Sequence, residues 1–211
     1  MTSSIDVMQN QELLVEHYHK TYDLTFSVWE SRNQSLLILL AVVGFSTLLT
    51  FNVSEAQPLL VDIIAKLCGI ASDNRIKELK KSFPYSVIQS IFIIVVFYLT
   101  INLYHKTCFI RRSYQYLSGL ETDIRSALNL PTGSVSFTRE GDFYNNHRTF
   151  SSFMTGLSYV LILGALLVSF LGMRLLNDLH AQDYFILITD TCLTLGILYF
   201  FSIYAHASLK K

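Results

Sequence analysis

The chain has 211 residues, of which 51% are hydrophobic and 15% are charged. This composition is too apolar for an ordinary soluble domain of that length, so it excludes that class and predicts a membrane protein. The 16 basic and 16 acidic residues cancel, which leaves the whole chain without a net charge that would attract nucleic acid. The three cysteines form no CxxC pair, which argues against a disulfide framework and against a zinc site.

Residues 1–34 contain no basic region followed by an apolar region, so no cleavable secretory signal is expected. Instead, apolar side chains recur there at intervals of three and four residues, which predicts an amphipathic helix. The stripe consists of Leu14, Tyr18, Tyr22, Phe26 and Trp29. Because no helix breaker separates this stripe from the apolar run that follows, we expect one bent or continuous helix of about 40 residues.

Four apolar runs are long enough to cross a membrane, because a hydrocarbon core of about 30 Å requires roughly 17 to 25 helical residues. They are residues 35–51, 85–104, 152–176 and 184–204, of which the first is marginal in length. The sequence therefore predicts an all-α membrane protein with four transmembrane helices.

Residues 52–84 connect the first and second spans and contain two shorter helical patterns. Pro58 is expected to begin a helix that reaches residue 70, which is too short to span the membrane. We interpret it as an interfacial helix, with a re-entrant pore helix as the alternative. Residues 72–83 predict a short, capped and charged helix, and Pro84 suits the first turn of the second span.

Residues 105–151 follow the second span, and their apolar stripe continues at helical spacing as far as Leu128. Pro131 and Gly133 predict the end of this helix. Two stripes exposed to water would be unfavourable, so we expect both helical extensions to pack against each other, or against copies in an oligomer, as a cytoplasmic stalk. Residues 134–150 alternate in hydrophobicity, which predicts a small hairpin insertion that leans on the stalk.

The distribution of Lys and Arg sets the expected orientation. The amino-terminal arm, residues 105–151 and the tail 205–211 together hold more Lys and Arg than the two connections on the other side, although residues 52–84 are themselves basic. We therefore expect both termini in the cytoplasm, with residues 52–84 and the short turn 177–183 outside.

One carboxylate, Asp190, lies inside the fourth span, roughly 9 Å from its start. A charge at such a depth costs about 2 to 3 kcal/mol, so Asp190 should face protein or water rather than lipid. Thr194 shares its face, and a ring of both residues in an oligomeric pore would favour cations. Alternatively, Asp190 is a hydrogen-bonded clamp between helices, with Arg174 as a candidate partner unless that side chain extends to the head groups.

A second group of candidate residues is basic and lies on the predicted cytoplasmic side. It comprises Arg111, Arg112, Arg125, Arg139 and Arg148. The first two lie within about two helical turns of the membrane boundary, where anionic lipid head groups are the favoured ligand. The other three are too distant for lipid. They could bind the phosphates of a nucleotide or oligonucleotide, or a protein partner, or they could simply be neutralised by the acidic residues nearby.

No pattern typical of catalysis is found. The histidines are scattered and form neither an HExxH motif nor a zinc-ligand set, and no glycine-rich phosphate loop or G-x-S-x-G motif occurs. We therefore expect no enzymatic activity, no catalytic residue, no metal site and no cofactor.

Residues 18–51, YHKTYDLTFSVWESRNQSLLILLAVVGFSTLLTF, and 136–144, SFTREGDFY, combine long helical extensions with a minimal soluble portion. This architecture resembles the membrane effectors and sensors of bacterial antiphage defence systems, among them SLATT-type proteins and the membrane subunits of Hailong- and Kiwa-like systems. The resemblance carries over no site residue. It implies a homo-oligomer in the bacterial inner membrane that opens or disrupts the bilayer when an infection signal or a partner engages the cytoplasmic part.

Three functions follow as hypotheses. The first is an oligomeric, channel-like effector that is gated from the stalk, with Asp190 and Thr194 lining or supporting the pathway. The second is a non-conducting membrane sensor or anchor whose stalk docks a soluble cytoplasmic partner. The third is a small proton-coupled transporter, which has less support because the chain shows one intramembrane carboxylate and no visible repeat.

Overall fold

The computed structural model describes residues 4–51, 53–70, 72–82, 85–131, 134–138, 150–181 and 183–209. These residues form six helices and no strand: α1 (Ser4–Phe51), α2 (Val53–Leu67), α3 (Asp73–Ser82), α4 (Tyr85–Ala127), α5 (Phe150–Ala181) and α6 (Tyr184–Leu209). Four of them, α1, α4, α5 and α6, are long and apolar enough to cross a membrane. The predicted all-α class with four membrane-spanning helices is confirmed, and the protein is a multi-pass membrane protein.

The amino-terminal arm and the first span form one uninterrupted helix. α1 has 48 residues, a length of about 70 Å. Several hydroxyl side chains along it, including Ser46 and Thr50, donate a hydrogen bond to the carbonyl four residues earlier. Such a bond satisfies the hydroxyl within its own helix, so these polar residues are compatible with an apolar surrounding.

The connection between α1 and α4 differs from the prediction at its start. α2 begins at Val53, so Pro58 lies inside the helix rather than at its first residue. Its ring nitrogen has no hydrogen, which leaves one backbone bond of α2 unmade. α2 ends at Leu67, and the turn after it contains Gly69, whose φ of 69° allows Ile70 to donate back to the carbonyl of Ala65 at 2.8 Å. The charged helix expected over residues 72–83 is present as α3, and Pro84 lies outside the described residues.

The end of α4 is set by an asparagine before the predicted breakers are reached. Asn129 adopts a left-handed conformation with φ of 51°, and Leu130 donates to the carbonyl of Arg125 at 3.0 Å. This is the hydrogen-bond pattern that usually ends a helix at glycine, and asparagine is the residue that most often replaces glycine there. Pro131 follows the stop rather than causing it, and Gly133 lies outside the described residues.

The predicted hairpin is not found where the structure describes it. Residues 134–138 form a turn, with Phe137 at a φ of 52°, and residues 139–149 lie outside the described part of the chain. Phe137 packs edge to face on Tyr18, with ring centroids 5.7 Å apart. The apolar side chain that suggested a strand therefore contacts α1.

The chain divides into two compact units. We call the first the stalk unit (Met1–Leu36, Asn102–Tyr159 and Ile203–Lys211) and the second the span unit (Leu37–Ile101 and Val160–Ser202). In the stalk unit, the two predicted stripes pack against each other. The core of this packing consists of Tyr18, Leu117, Leu120 and Ile124, bordered by Leu14, Val15, Tyr22, Tyr114 and Phe137. Burial of each large side chain contributes about 1.5 to 3 kcal/mol, which is why the stripes are not left in water.

In the span unit, apolar side chains face both inward and outward. Its buried core includes Leu39, Val43, Ile93, Val96, Leu163, Leu167, Phe170, Leu171 and Ile197. Its outer surface exposes a further set that includes Leu37, Ile38, Leu48, Ile91, Ile94, Leu161, Ile162, Val168 and Leu195. A helix that is apolar on every side is typical of a membrane span, because lipid solvates the outer face.

Candidate functional site

The span unit contains a buried ion pair between two of the residues that the sequence singled out. Arg174 on α5 donates from Nε and Nη2 to Oδ2 of Asp190 on α6, at 3.0 and 2.9 Å. Their side chains are 2% and 0% exposed. Arg174 therefore does not extend to the head groups, and Asp190 faces protein rather than lipid, as expected for a charge at this depth.

Helix α4 supplies the polar partners that hold this pair. Ser86, Gln89 and Ser90 are spaced three and four residues apart, so they lie on one face of the helix. Gln89 Oε1 accepts from Arg174 Nη1 at 2.7 Å, and the carbonyl of Ser86 accepts from Nη2 at 3.1 Å. Ser90 Oγ donates to Asp190 Oδ2 at 3.0 Å. Sequence reasoning missed these three residues, although polar side chains at that spacing in an apolar run would have indicated them.

A second carboxylate completes the cluster. Asp178 lies one helical turn after Arg174, and its Oδ1 is 2.9 Å from Arg174 Nη1, with side-chain exposures of 1% and 2%. The sequence prediction placed Asp178 in the external turn 177–183, but α5 continues to Ala181 and carries this residue on its buried face. The sequence spacing would have indicated this contact, because Arg and Asp four residues apart on a helix form an ion pair.

Four buried polar atoms in the described part of the chain have no hydrogen-bond partner, and they belong to three residues of the cluster and to Thr194, one turn after Asp190. They are Gln89 Nε2, Asp178 Oδ2, Asp190 Oδ1 and Thr194 Oγ1. An unsatisfied buried group costs roughly 1 to 3 kcal/mol, so four of them in one place are unusual. Thr194 shares the face of Asp190 as predicted, and its side chain is buried. The arrangement can hold a charge in an apolar surrounding, and it retains acceptor atoms for a further donor.

The predicted basic residues that the structure describes do not form one site. Arg125 donates to the carbonyls of Ser134 and Ser136, at 2.7 and 2.8 Å, and so fixes the turn after α4 rather than facing a ligand. Arg111 is half-buried and Arg112 is exposed on the surface of α4. Arg139 and Arg148 lie outside the described residues.

Arg112 lines a cleft of about 540 Å³ in the stalk unit. Its other lining residues are Val28, Ser31, Tyr104, His105, Lys106, Cys108 and Phe109, and none of them is acidic. Lys106 joins the two walls of the cleft, because its Nζ donates to Ser31 Oγ at 2.9 Å and to Ser35 Oγ at 2.8 Å. The cleft combines fixed positive charge with open volume, which suits an anionic group.

The residues that the structure describes contain no cluster of three or more His, Cys, Asp or Glu side chains that would hold a metal ion. The cysteines are free thiols in separate segments, with Cys68 and Cys192 exposed. Comparison with known proteins adds no assignment, since no protein family model, no curated protein and no solved structure matches this chain.

Proposed function

We propose that this protein is a membrane effector that gates the passage of cations, with the Arg174–Asp190 pair as the latch that keeps its pathway closed. The observation that carries the proposal is the burial of one arginine and two aspartates in the span unit, where a charged group marks an ion route or a relay by default. The resemblance to antiphage defence effectors adds the setting: a homo-oligomer in the bacterial inner membrane that opens when a signal or a partner engages the stalk.

The position of Asp190 decides which kind of pathway we propose. A ring of Asp190 side chains facing the axis of an oligomer requires an exposed carboxylate, whereas this carboxylate is completely buried within one chain. The membrane-spanning helices expose many large apolar side chains, among them Leu48, Ile94 and Leu161, and such side chains suit contact with lipid rather than the lining of a pore. We therefore propose an ion route that lies inside the span unit of one chain and opens when Arg174 and Asp190 separate, rather than a pore lined by Asp190 between copies.

Membrane depolarisation tests this proposal without a known trigger. Bacterial cells expressing Asp190→Asn should depolarise more than cells expressing the same amount of wild-type protein, because the amide cannot form the ion pair that holds the latch. Asp183→Asn is the matched control, since Asp183 is exposed and lies just before the same helix. Membranes that stay equally polarised with Asp190→Asn, Arg174→Gln and wild type would rule out the latch.

A thiol-labelling experiment tests the proposed orientation. With Cys108 and Cys192 replaced by serine, Cys68 should react with a membrane-impermeant maleimide added outside spheroplasts, because it is exposed at the end of α2. With Cys68 and Cys192 replaced, Cys108 should react only after the membrane is permeabilised. The reverse pattern would place both termini outside.

The second candidate function is a non-conducting sensor or anchor, and the basic cleft of the stalk unit favours it. We propose that an anionic cytoplasmic ligand or partner docks against His105, Lys106 and Arg112. Native mass spectrometry of the protein extracted from membranes should show a retained anionic molecule that is lost in Arg112→Glu and kept in Arg75→Glu, an exposed arginine on α3. Arg125 is unsuitable for this test because its reversal would break the turn that it holds.

A further inference from the structure

The charges of the buried cluster in the span unit do not balance. Every N–H of the Arg174 guanidinium has an acceptor: Asp190 for Nε, Gln89 and Asp178 for Nη1, and the Ser86 carbonyl together with Asp190 for Nη2. One positive charge thus faces two carboxyl groups. A net negative charge in an apolar, fully buried site is unfavourable unless another group neutralises it.

The remaining charged and titratable groups around the site do not supply that neutralisation. The charged groups that act on Asp178 are Arg174, Asp190 and Asp183, and the last of these is a third acid on the exposed turn. From α4 the only titratable group directed at the cluster in the described residues is Tyr85, which interacts with Arg174 and donates its hydroxyl to the carbonyl of Leu49 at 2.6 Å. No further cation faces the pair from these elements.

The two carboxyl groups meet at one guanidinium group, since Asp178 Oδ1 lies 2.9 Å from Arg174 Nη1 and Asp190 Oδ2 lies 2.9 Å from Arg174 Nη2. Each uses one oxygen for Arg174 and has one oxygen, Asp178 Oδ2 or Asp190 Oδ1, without a donor. Two acids that approach so closely are expected to share one proton, because like charges at this distance oppose double ionisation. A proton on either oxygen would donate to the other and satisfy both atoms at once.

We propose that Asp178 and Asp190 form a binding site for one proton, held between their two free oxygens and bordered by Thr194. The proton is taken from water, bonds to one carboxyl oxygen and is hydrogen-bonded to the other. Its uptake makes the cluster neutral, and its loss leaves a buried negative charge next to the latch. The inference deepens the proposed function by naming the proton as the cation that this site exchanges.

Infrared spectroscopy of the purified full-length protein in lipid nanodiscs tests the site. Wild-type protein labelled with ¹³C-aspartate should show at neutral pH the carbonyl band of a protonated aspartic acid, which shifts when H₂O is replaced by D₂O. The label separates this band from any signal of the buried Glu121. The band should disappear in Asp178→Asn and in Asp190→Asn, and it should remain in Asp183→Asn.

If a variant does not fold, the wild-type protein still tests the proposal. Its band should be lost when the pH is raised, while size-exclusion chromatography shows that the protein particle is intact. A wild-type spectrum without a protonated aspartate at neutral pH would overturn the proposal, and so would a band that survives in folded Asp178→Asn. Since the spectrum is recorded without ion flow, it reports on the proton site independently of the depolarisation assay. A failure of the latch and a failure of the proton site are therefore distinguishable.

Discussion

One ion pair from each unit shows how differently a charge behaves when it is exposed and when it is buried. In the stalk unit, Glu16 and Lys20 form an ion pair at 2.7 Å with side chains 54% and 74% exposed. In the span unit, Arg174 contacts Asp190 at 2.9 Å with both side chains buried. Because water screens the first pair and not the second, similar geometry corresponds to very different energies. The comparison shows that the exposure of a charged side chain, more than its distance to a partner, determines how strongly its mutation changes the stability of this protein.

The largest effect is expected from Arg174→Met, which removes the one cation that the described residues place in the buried cluster and leaves two carboxyl groups without their partner. Breaking a buried ion pair in this way costs about 3 to 5 kcal/mol. The measurement is denaturant-induced unfolding of the purified protein in detergent micelles. Arg75→Met, on the exposed face of α3, is the matched control and should be nearly neutral.

A companion variant sharpens this first prediction. Adding Asp178→Asn and Asp190→Asn to Arg174→Met removes every charge of the cluster and should restore a large part of the lost stability. If the triple variant is as unstable as Arg174→Met, the loss would come from packing rather than from unbalanced charge.

The stalk unit should respond most strongly to a change in its apolar core. Leu117 is completely buried between α1 and α4, and replacing it by alanine removes packed atoms and leaves a cavity. Such substitutions cost about 2 to 5 kcal/mol. Thermal unfolding followed by circular dichroism should show the loss, while Leu13→Ala, at a side chain 55% exposed, should change little. Equal effects at both positions would contradict the packing described for the stalk.

A smaller effect is expected when the two aspartates are compared with each other. Asp190 Oδ2 accepts from Arg174 and from Ser90, whereas Asp178 Oδ1 accepts from Arg174 alone. Asp190→Asn should therefore destabilise the protein by about 2 kcal/mol, since hydrogen bonds to charged groups contribute about 1.5 to 3 kcal/mol. Asp178→Asn should cost less, because the Asp178 carboxyl group makes fewer of these contacts. The two unfolding curves are measured side by side, and the reverse order would count against the assigned contacts.

Much of the fold follows from sequence patterns, and the comparison of the units shows where such patterns fail. The four spans and both stalk stripes appear in the sequence as runs or regular patterns of apolar residues, and such patterns indicate which faces of a helix avoid water. The partners of Arg174 on α4 are different, because Ser86 and Gln89 belong to another helix and meet Arg174 only after packing. Asp178 was misplaced because a charge near the end of an apolar run usually marks the membrane boundary. Its burial depends on the arginine one turn before it, which a hydropathy pattern does not register.

The smallest effect is expected at the exposed pair of the stalk unit. Lys20→Ala removes the ion pair with Glu16 while leaving α1 with a good helix former, so the free energy of unfolding should change by at most about 0.5 kcal/mol. Raising the salt concentration should reduce even this difference, because exposed charges are screened. The same increase in salt should leave the effect of Arg174→Met nearly unchanged, since water and ions do not reach that site. Unfolding of both variants at low and high salt therefore tests the contrast between the units in one experiment, and an equal dependence on salt would refute it.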